Sequence, residues 1–143
     1  MAIEQFSHAL PMALYRTLDA VMPRFRKIFN EFGLTEQQWR VLRVLWDEQA
    51  TTLNRLAALT LIPAPSLVGV VDRLERDQLV NRQRSEADRR KVNVVLTSQG
   101  AALEADIMPR VASAYAELKQ SVDPATWDRV LEGLNAIAAT RYD

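Results

Sequence analysis

The chain has 143 residues, of which 48% are apolar, and its 18 basic side chains are balanced by 18 acidic ones. This is the length of one domain with a buried core, and the composition excludes wholesale disorder. The absence of cysteine excludes disulfides and thiolate zinc sites. With no signal peptide pattern and no apolar run long enough to span a membrane, we expect a cytoplasmic protein without membrane contact. We also expect no metal and no cofactor.

The charges are distributed unevenly along the chain. Residues 73–91 include seven basic and four acidic side chains, whereas residues 104–143 include four basic and seven acidic ones. The centre is therefore cationic and the C-terminal end anionic. This polarity favours a protein that places one surface on an anionic partner such as nucleic acid.

A long amphipathic helix is predicted at the start of the chain, from about residue 7 to residue 31. Its apolar stripe recurs at steps of three and four residues and comprises Leu10, Leu14, Leu18, Val21, Phe25, Ile28 and Phe32. Pro23 lies inside this helix and should kink or interrupt it. A helix this long at the edge of a small domain usually packs on a partner, which here could be another subunit.

Thr35 and Gln38 form the pattern of a capping box, which predicts the start of a second helix. On this helix Arg43 lies one turn before Asp47. One interpretation is a solvated charged stripe with an ion pair. The other is that arginines beside Trp39 line an anion pocket. The spacing favours the solvated stripe, because most charged helix faces are exposed to water.

Two shorter helices joined by a turn follow, one over about residues 53–59 and the other beginning at Pro65. The second has an inner apolar face formed by Leu67, Val70, Val71 and Leu74. Its outer face carries Ser66, Gly69, Arg73 and Arg76. Pro65 fits the first helical position, which leaves the amino-terminal amides and the Ser66 hydroxyl free to bind phosphate.

After Gln78 the helical period ends, and short β-branched segments predict strands at residues 79–80 and 92–96. The segment between them carries five cations within ten residues, namely Arg82, Arg84, Arg89, Arg90 and Lys91. Two helices followed by a basic hairpin predict a winged helix-turn-helix over residues 35–97, with one helix sized for the DNA major groove. Ordinary surface charge is the alternative interpretation of the cations.

Two more amphipathic helices complete the chain. Thr97 is expected to cap the first, which Pro109 should bend, and Asp123-Pro124 begins the second. Long helices at both ends, within residues 1–34 and 98–143, predict a dimerisation region built from the two termini. The predicted fold is therefore mainly α with a small β-hairpin wing, a winged helix-turn-helix plus a helical dimerisation region in one domain.

Three stretches resemble the MarR (multiple antibiotic resistance regulator) family of bacterial transcription factors: LTEQQWRVLRVL, LNRLAALTLIPAPSLVGVVDRLERDQLV and DRRKVNVVLTSQG. The front half of the chain is most similar to regulators of homoprotocatechuate and related aromatic-acid catabolism. This resemblance implies a homodimer that binds a palindromic DNA operator as a repressor. It also implies that a small aromatic carboxylate weakens DNA binding.

The resemblance also implies roles for individual residues. The DNA-binding residues would be Pro65, Ser66, Gly69 and Arg73 on the recognition helix, and Arg84, Asp88, Arg89, Arg90 and Lys91 in the wing. Asp88 would orient the wing loop, so that an arginine enters the minor groove. Arg16 matches an arginine that holds the carboxylate in relatives that bind aromatic acids, with Trp39 and Arg43 nearby.

The sequence departs from the family pattern at two positions. Gln78 stands where the family commonly has a glycine ending the recognition helix, and a positive φ there would cost roughly 1 kcal/mol. Gly69 stands where relatives often carry a polar or charged reader, so neighbouring residues would have to read the bases.

The sequence leaves two other functions open. A winged helix can also serve as a protein–protein interaction module, and a DNA binder can act without an effector. An enzyme is a poor interpretation, because the sequence has no glycine-rich phosphate loop, no metal-ligand spacing and no nucleophile–base pair.

Overall fold

A computed structural model describes residues 5–140. Over these residues a short 3-10 turn precedes six α-helices and three β-strands: α1 (Leu10–Glu31), α2 (Glu36–Glu48), β1 (Ala50–Thr52), α3 (Leu53–Thr60), α4 (Ala64–Arg76), β2 (Val80–Arg84), β3 (Val92–Leu96), α5 (Ser98–Lys119) and α6 (Pro124–Ala139). The strands form one antiparallel sheet in the order β1-β3-β2. The fold is therefore mainly helical with a small wing, as predicted.

The core lies where α2, α3 and the sheet meet the inner face of α4. All four apolar residues predicted for that face are buried: Leu67, Val70, Val71 and Leu74. They pack with residues of α2 and α3 that are also closed to solvent, including Leu42, Leu45 and Leu56. Helices α3 and α4 meet at 107°, which is the angle range of a helix-turn-helix.

The predicted helix caps are confirmed. Thr35 Oγ1 accepts from the Gln38 amide at 3.1 Å, and Gln38 Oε1 accepts from the Thr35 amide at 2.8 Å, which completes the capping box. Thr97 caps α5 and Asp123 caps α6. The hydrogen bonds that Asp123 accepts from Thr126 lower the pKa of its carboxyl group.

Helix α1 begins three residues later than predicted. A helix that began at Ser7 would need the amide of Pro11 to donate to the Ser7 carbonyl, and proline has no amide hydrogen. The helix therefore begins at Leu10, where Pro11 falls in the first turn, and the Ser7 carbonyl accepts from Arg16 instead. The predicted interruption at Pro23 is absent, since α1 continues through it.

The sheet has one strand that the sequence did not predict. Residues Ala50–Thr52 form β1, which pairs with β3 so that Thr51 lies opposite Val94. The other two strands form the predicted hairpin, although β2 begins at Val80 and extends to Arg84. Three residues are too few to show a period of two, so only the pairing with β3 identifies this strand.

The helices at the two ends of the chain are only partly covered. In α1, Phe25 and Ile28 are buried, whereas Leu10, Leu14 and Leu18 are 39–54% exposed. Helix α6 has no buried residue. Its exposed apolar side chains are Val130, Leu131 and Ile137. The chain thus leaves an apolar surface uncovered at the first half of α1 and along α6.

Helices α1 and α5 contribute buried residues to the same core, and two ion pairs between exposed side chains also connect them. Arg24 pairs with Glu117 at 2.9 Å, and Arg110 pairs with Glu31 at 2.6 Å.

Among the described helices, no single one is long and apolar enough to cross a membrane. Of the described helices, only α3 and α4 counted together would be long and apolar enough. They are bent by 107° relative to each other, and their apolar faces lie in the core.

Candidate nucleic-acid interface

The outer face of α4 is the first part of the candidate interface. Ser66, Arg73 and Arg76 are exposed there, and Gly69 is half-buried. A Cβ atom added to Gly69 would have one side-chain neighbour within 4 Å, a guanidinium nitrogen of Arg73 at 3.8 Å. The Arg73 side chain therefore lies back along the helix across Gly69, toward the amino-terminal end of α4.

The amino terminus of α4 carries no capping side chain. Pro63 is the cap residue and makes no side-chain hydrogen bond to the first turn. The helix begins at Ala64, so Pro65 takes the second helical position and not the predicted first. The change is small, because proline is tolerated throughout the first turn, where an amide has no partner within the helix.

The loop between β2 and β3 folds around Asp88. The Asp88 carboxylate accepts hydrogen bonds from the Arg90 amide at 3.1 Å and from the Arg90 Nε at 3.4 Å. Arg84 donates to the Arg89 carbonyl at 3.2 Å. These contacts order the loop while the Arg90 side chain stays 92% exposed. The wing therefore presents a cluster of exposed cations, namely Arg84, Arg89, Arg90 and Lys91.

Arg82 is the exception among the five cations counted in this segment. It lies on β2, its side chain is 24% exposed, and its guanidinium pairs with Asp72 of α4 at 2.7 Å. Sequence spacing could not separate it from the exposed cations, because the direction of a strand side chain relative to a helix depends on the tertiary packing.

The end of the recognition helix is held by the first residues of α5. Gln78 has a φ of 63°, which is the strained conformation anticipated from the missing glycine. The Thr97 hydroxyl donates to the Gln78 carbonyl at 2.6 Å. A Cβ atom added to Gly100 would lie 2.0 Å from the Leu79 carbonyl oxygen. Thr97 was predicted only as the cap of α5 and Gly100 only as part of a motif, whereas both also contact the end of the recognition helix.

A bidentate ion pair connects α3 to the end of α2. Arg55 of α3 donates to Glu48 at the end of α2, through Nε at 2.8 Å and Nη2 at 2.6 Å. These hydrogen bonds lower the pKa of the Glu48 carboxyl and raise that of the Arg55 guanidinium. The pair joins the reading unit to the helix before it.

The residues proposed to bind a carboxylate fall into two places. Trp39 and Arg43 are one turn apart on α2, where the Trp39 ring stacks on Phe29 at 4.7 Å and Arg43 pairs with Asp47 at 2.7 Å. Arg16 lies on the exposed half of α1. It lines a cleft of about 460 Å³ that has neither of the other two among its lining residues. Across residues 5–140, no group of three or more His, Asp or Glu side chains is arranged to hold a metal ion.

Comparison with known proteins identifies the family. The sequence model of the MarR family matches residues 34–92. The homoprotocatechuate degradative operon repressor of Escherichia coli is 37% identical over 111 residues, which cover 78% of this chain and 75% of that repressor. The chain belongs to the MarR family. It is a DNA-binding transcriptional regulator, and the narrower resemblance to homoprotocatechuate regulators is confirmed as well.

Solved MarR-type structures share the fold over nearly the whole chain. Bordetella bronchiseptica BpsR, described by its regulation of DNA binding by 6-hydroxynicotinic acid, has a TM-score of 0.88 and 26% identity, covering 98% of this chain and 100% of that one. NadR in complex with 4-hydroxyphenylacetate has a TM-score of 0.81 and 28% identity, with coverage of 99% and 100%. The winged helix-turn-helix of this MarR protein is therefore a regulator's DNA-binding unit.

Proposed function

We propose that this MarR protein is a homodimeric repressor that binds a palindromic operator and is released by a small aromatic carboxylate. The observation that carries the proposal is the exposed outer face of α4 beside a wing with four exposed cations. The similarity to the homoprotocatechuate repressor supports repression. The regulation of BpsR by 6-hydroxynicotinic acid and the complex of NadR with 4-hydroxyphenylacetate support the effector class.

The uncovered helices at the ends supply the dimer contact in this proposal. Exposed apolar side chains on the first half of α1 and along α6 would be covered by a second copy. A two-fold axis through that contact would present two α4 helices to one face of the duplex. Their separation should be about 34 Å, one turn of B-form DNA.

Each part of the reading unit would have a distinct contact in the complex. The uncapped first turn of α4, with Pro65 and Ser66, would face the phosphates. Arg73, lying across Gly69, would reach base edges in the major groove, where arginine pairs with guanine. Arg90, held by Asp88, would enter the minor groove, which narrow A·T-rich segments make electronegative.

The effector site would form between copies in this proposal. Arg16 lies on the uncovered half of α1, and the cleft that it lines includes neither Trp39 nor Arg43 of the same chain. A site that combines all three would therefore take Arg16 from one subunit and the two α2 residues from its partner. Release then requires that the carboxylate binds more tightly to the spacing of recognition helices that does not fit DNA.

Selection from a pool of random duplexes tests the operator. We expect wild-type protein to enrich inverted half-sites whose centres lie about 10 base pairs apart, and we expect its affinity to fall steeply with salt. Enrichment of a single half-site would contradict the palindrome. Failure to bind any duplex in a salt-dependent way would instead indicate a protein–protein interaction module.

The effector is tested with 4-hydroxyphenylacetate and 6-hydroxynicotinate as probes. We expect either acid to raise the melting temperature of the wild-type protein and to release it from the selected duplex. Arg16→Ala should keep operator binding and blunt release, whereas Lys27→Ala, which removes another exposed cation from α1, should behave as wild type. Unchanged release of the Arg16 variant would contradict the proposed site. No response of the wild-type protein to any aromatic acid would contradict the proposed effector class.

Mixed dimers test whether the site is shared between subunits. When each is tested by itself, the Arg16→Ala and Arg43→Ala proteins should both lose the rise in melting temperature that the acid causes. When the two are co-refolded, a dimer of both keeps one site with both arginines if the site is shared, so part of the shift should return. If both arginines come from one chain, every site in the mixture lacks one of them and nothing returns.

A further inference from the structure

Arg82 connects the wing to the recognition helix through four contacts. Its guanidinium pairs with Asp72 at 2.7 Å and with Glu75 at 3.4 Å, and it donates to the Val68 carbonyl at 3.3 Å. Its amide donates to Glu75 Oε2 at 2.9 Å. The three partners lie at positions i, i+4 and i+7 of α4, so one β2 residue follows about two turns of that helix.

The contacts of Arg82 contrast with those of the neighbouring wing cations. The side chain of Arg82 is 24% exposed, against 92% for that of Arg90. Its planar guanidinium is directed at two carboxylates and a carbonyl of the protein, and this fork geometry leaves little of it to meet a phosphate. Arg82 is thus part of the cationic segment by sequence but not part of the exposed cation cluster.

We propose that Arg82 is a positioning residue for DNA binding, which sets the angle between the recognition helix and the wing without touching the duplex. The covalent connection between α4 and β2 is the short turn through Gln78, a residue at positive φ. Major-groove and minor-groove contacts must be made together, so a wing free to swing would lose entropy on binding. The inference rests on DNA binding by the winged helix and not on the operator symmetry or the effector.

Asp72 and Glu75 have a specific place in this arrangement. They are carboxylates on the helix that enters the DNA groove, where uncompensated negative charge would repel phosphate. Their pairing with Arg82 offers the alternative that Arg82 merely neutralises them. The two roles predict opposite results when the carboxylates are removed.

The test measures affinity for the selected duplex, and its salt dependence, in four variants. We expect Arg82→Gln to bind about tenfold more weakly, as for the loss of a charge-assisted hydrogen-bond network, with the slope of log Kd against log salt unchanged. Asp72→Asn should also weaken binding although it removes negative charge. The double variant should be no weaker than Arg82→Gln alone, because both changes break one unit. Arg82→Lys should recover part of the affinity.

Arg84→Gln is the matched control, since this neighbour on β2 belongs to the exposed cluster. It should lower the salt slope by about one, as expected when one phosphate contact is lost. Measurements well below each melting temperature, with near-UV circular dichroism, separate positioning from unfolding. The proposal is overturned if Arg82→Gln lowers the salt slope, if Asp72→Asn strengthens binding, if the double variant recovers wild-type affinity, or if affinity does not change. A wild-type protein that enriches no duplex would instead contradict the proposed function.

Discussion

The winged-helix centre and the helices at the two ends satisfy their apolar surfaces in different ways. In the centre, α4 buries Leu67, Val70, Val71 and Leu74 within the same chain. At the ends, α6 buries no residue, and the first half of α1 leaves its leucines exposed. The Tyr115–Trp127 ring contact at 5.6 Å is the aromatic pair that joins α5 to α6.

This difference separates what one chain stabilises from what a second chain must stabilise. The centre has a core of its own, so its stability should depend little on protein concentration. The ends expose several large apolar side chains on α1 and α6, and such side chains mark surfaces that a partner covers when they form patches. Their order should therefore depend on association, and four predictions test the distinction.

The largest expected effect contrasts one glycine near the centre with one in the end helices. Gly100→Ala places a methyl group 2.0 Å from the Leu79 carbonyl oxygen, so we expect a loss of about 3 kcal/mol in the free energy of unfolding, as for severe overpacking. Gly133 in α6 has nothing within 4 Å of an added Cβ. Gly133→Ala should therefore stabilise by about 0.5–1 kcal/mol. Denaturant unfolding measures both, and equal signs would contradict the contrast.

A charge in the uncovered surface should separate the ends from the centre. Leu131 is 42% exposed in the single chain, and we expect Leu131→Asp to weaken dimerisation on the order of a hundredfold, about 2.7 kcal/mol. The helix content of the centre should persist. Asn135→Asp, an exposed polar position on the same helix, should have little effect in sedimentation equilibrium. A Leu131 variant that dimerises normally would place the dimer contact elsewhere.

Removing a wing cation should weaken DNA binding by the winged-helix centre and leave the dimer contact at the ends unchanged. Arg90→Ala loses the exposed guanidinium held by Asp88, so operator affinity should fall about tenfold and the salt slope should decrease by about one. The dimer should remain intact in the same sedimentation experiment. Loss of the dimer together with DNA binding would show that wing and ends are not independent.

The smallest effect concerns the strained end of α4. Gln78 has a φ of 63°, so Gln78→Gly should stabilise the centre by about 1 kcal/mol by relieving the Cβ clash. Gln78→Ala keeps the Cβ atom and should give no such gain. Thermal unfolding of the two variants compares them, and an equal gain from alanine would mean that strain is not the cause.

Features set by neighbouring residues were the ones that the sequence predicted well. The two faces of α4 follow from helical spacing, and the caps at Thr35, Thr97 and Asp123 follow from side chains that reach the adjacent amides. The predicted start of α1 at Ser7 was wrong although the reason is also local, since the missing amide of Pro11 excludes it. The predicted wing was correct in kind, but its third strand was missed.

Features that depend on distant parts of the chain needed the structure. β1 is a strand because β3 lies beside it. Gly100 is required because the Leu79 carbonyl occupies the space of its missing Cβ. In the sequence Arg82 is indistinguishable from the other wing cations, and only the structure shows that it forms an ion pair with Asp72.

The sequence by itself determined the class of fold, the position of the recognition helix and the division into a cationic centre and an anionic C-terminal end. Helical period, caps and charge runs are properties of short segments. The tertiary structure decided which cations face solvent, which apolar stripes stay uncovered and why particular α5 residues are needed. Those outcomes depend on which surfaces meet in three dimensions, and residue spacing carries no direct record of that.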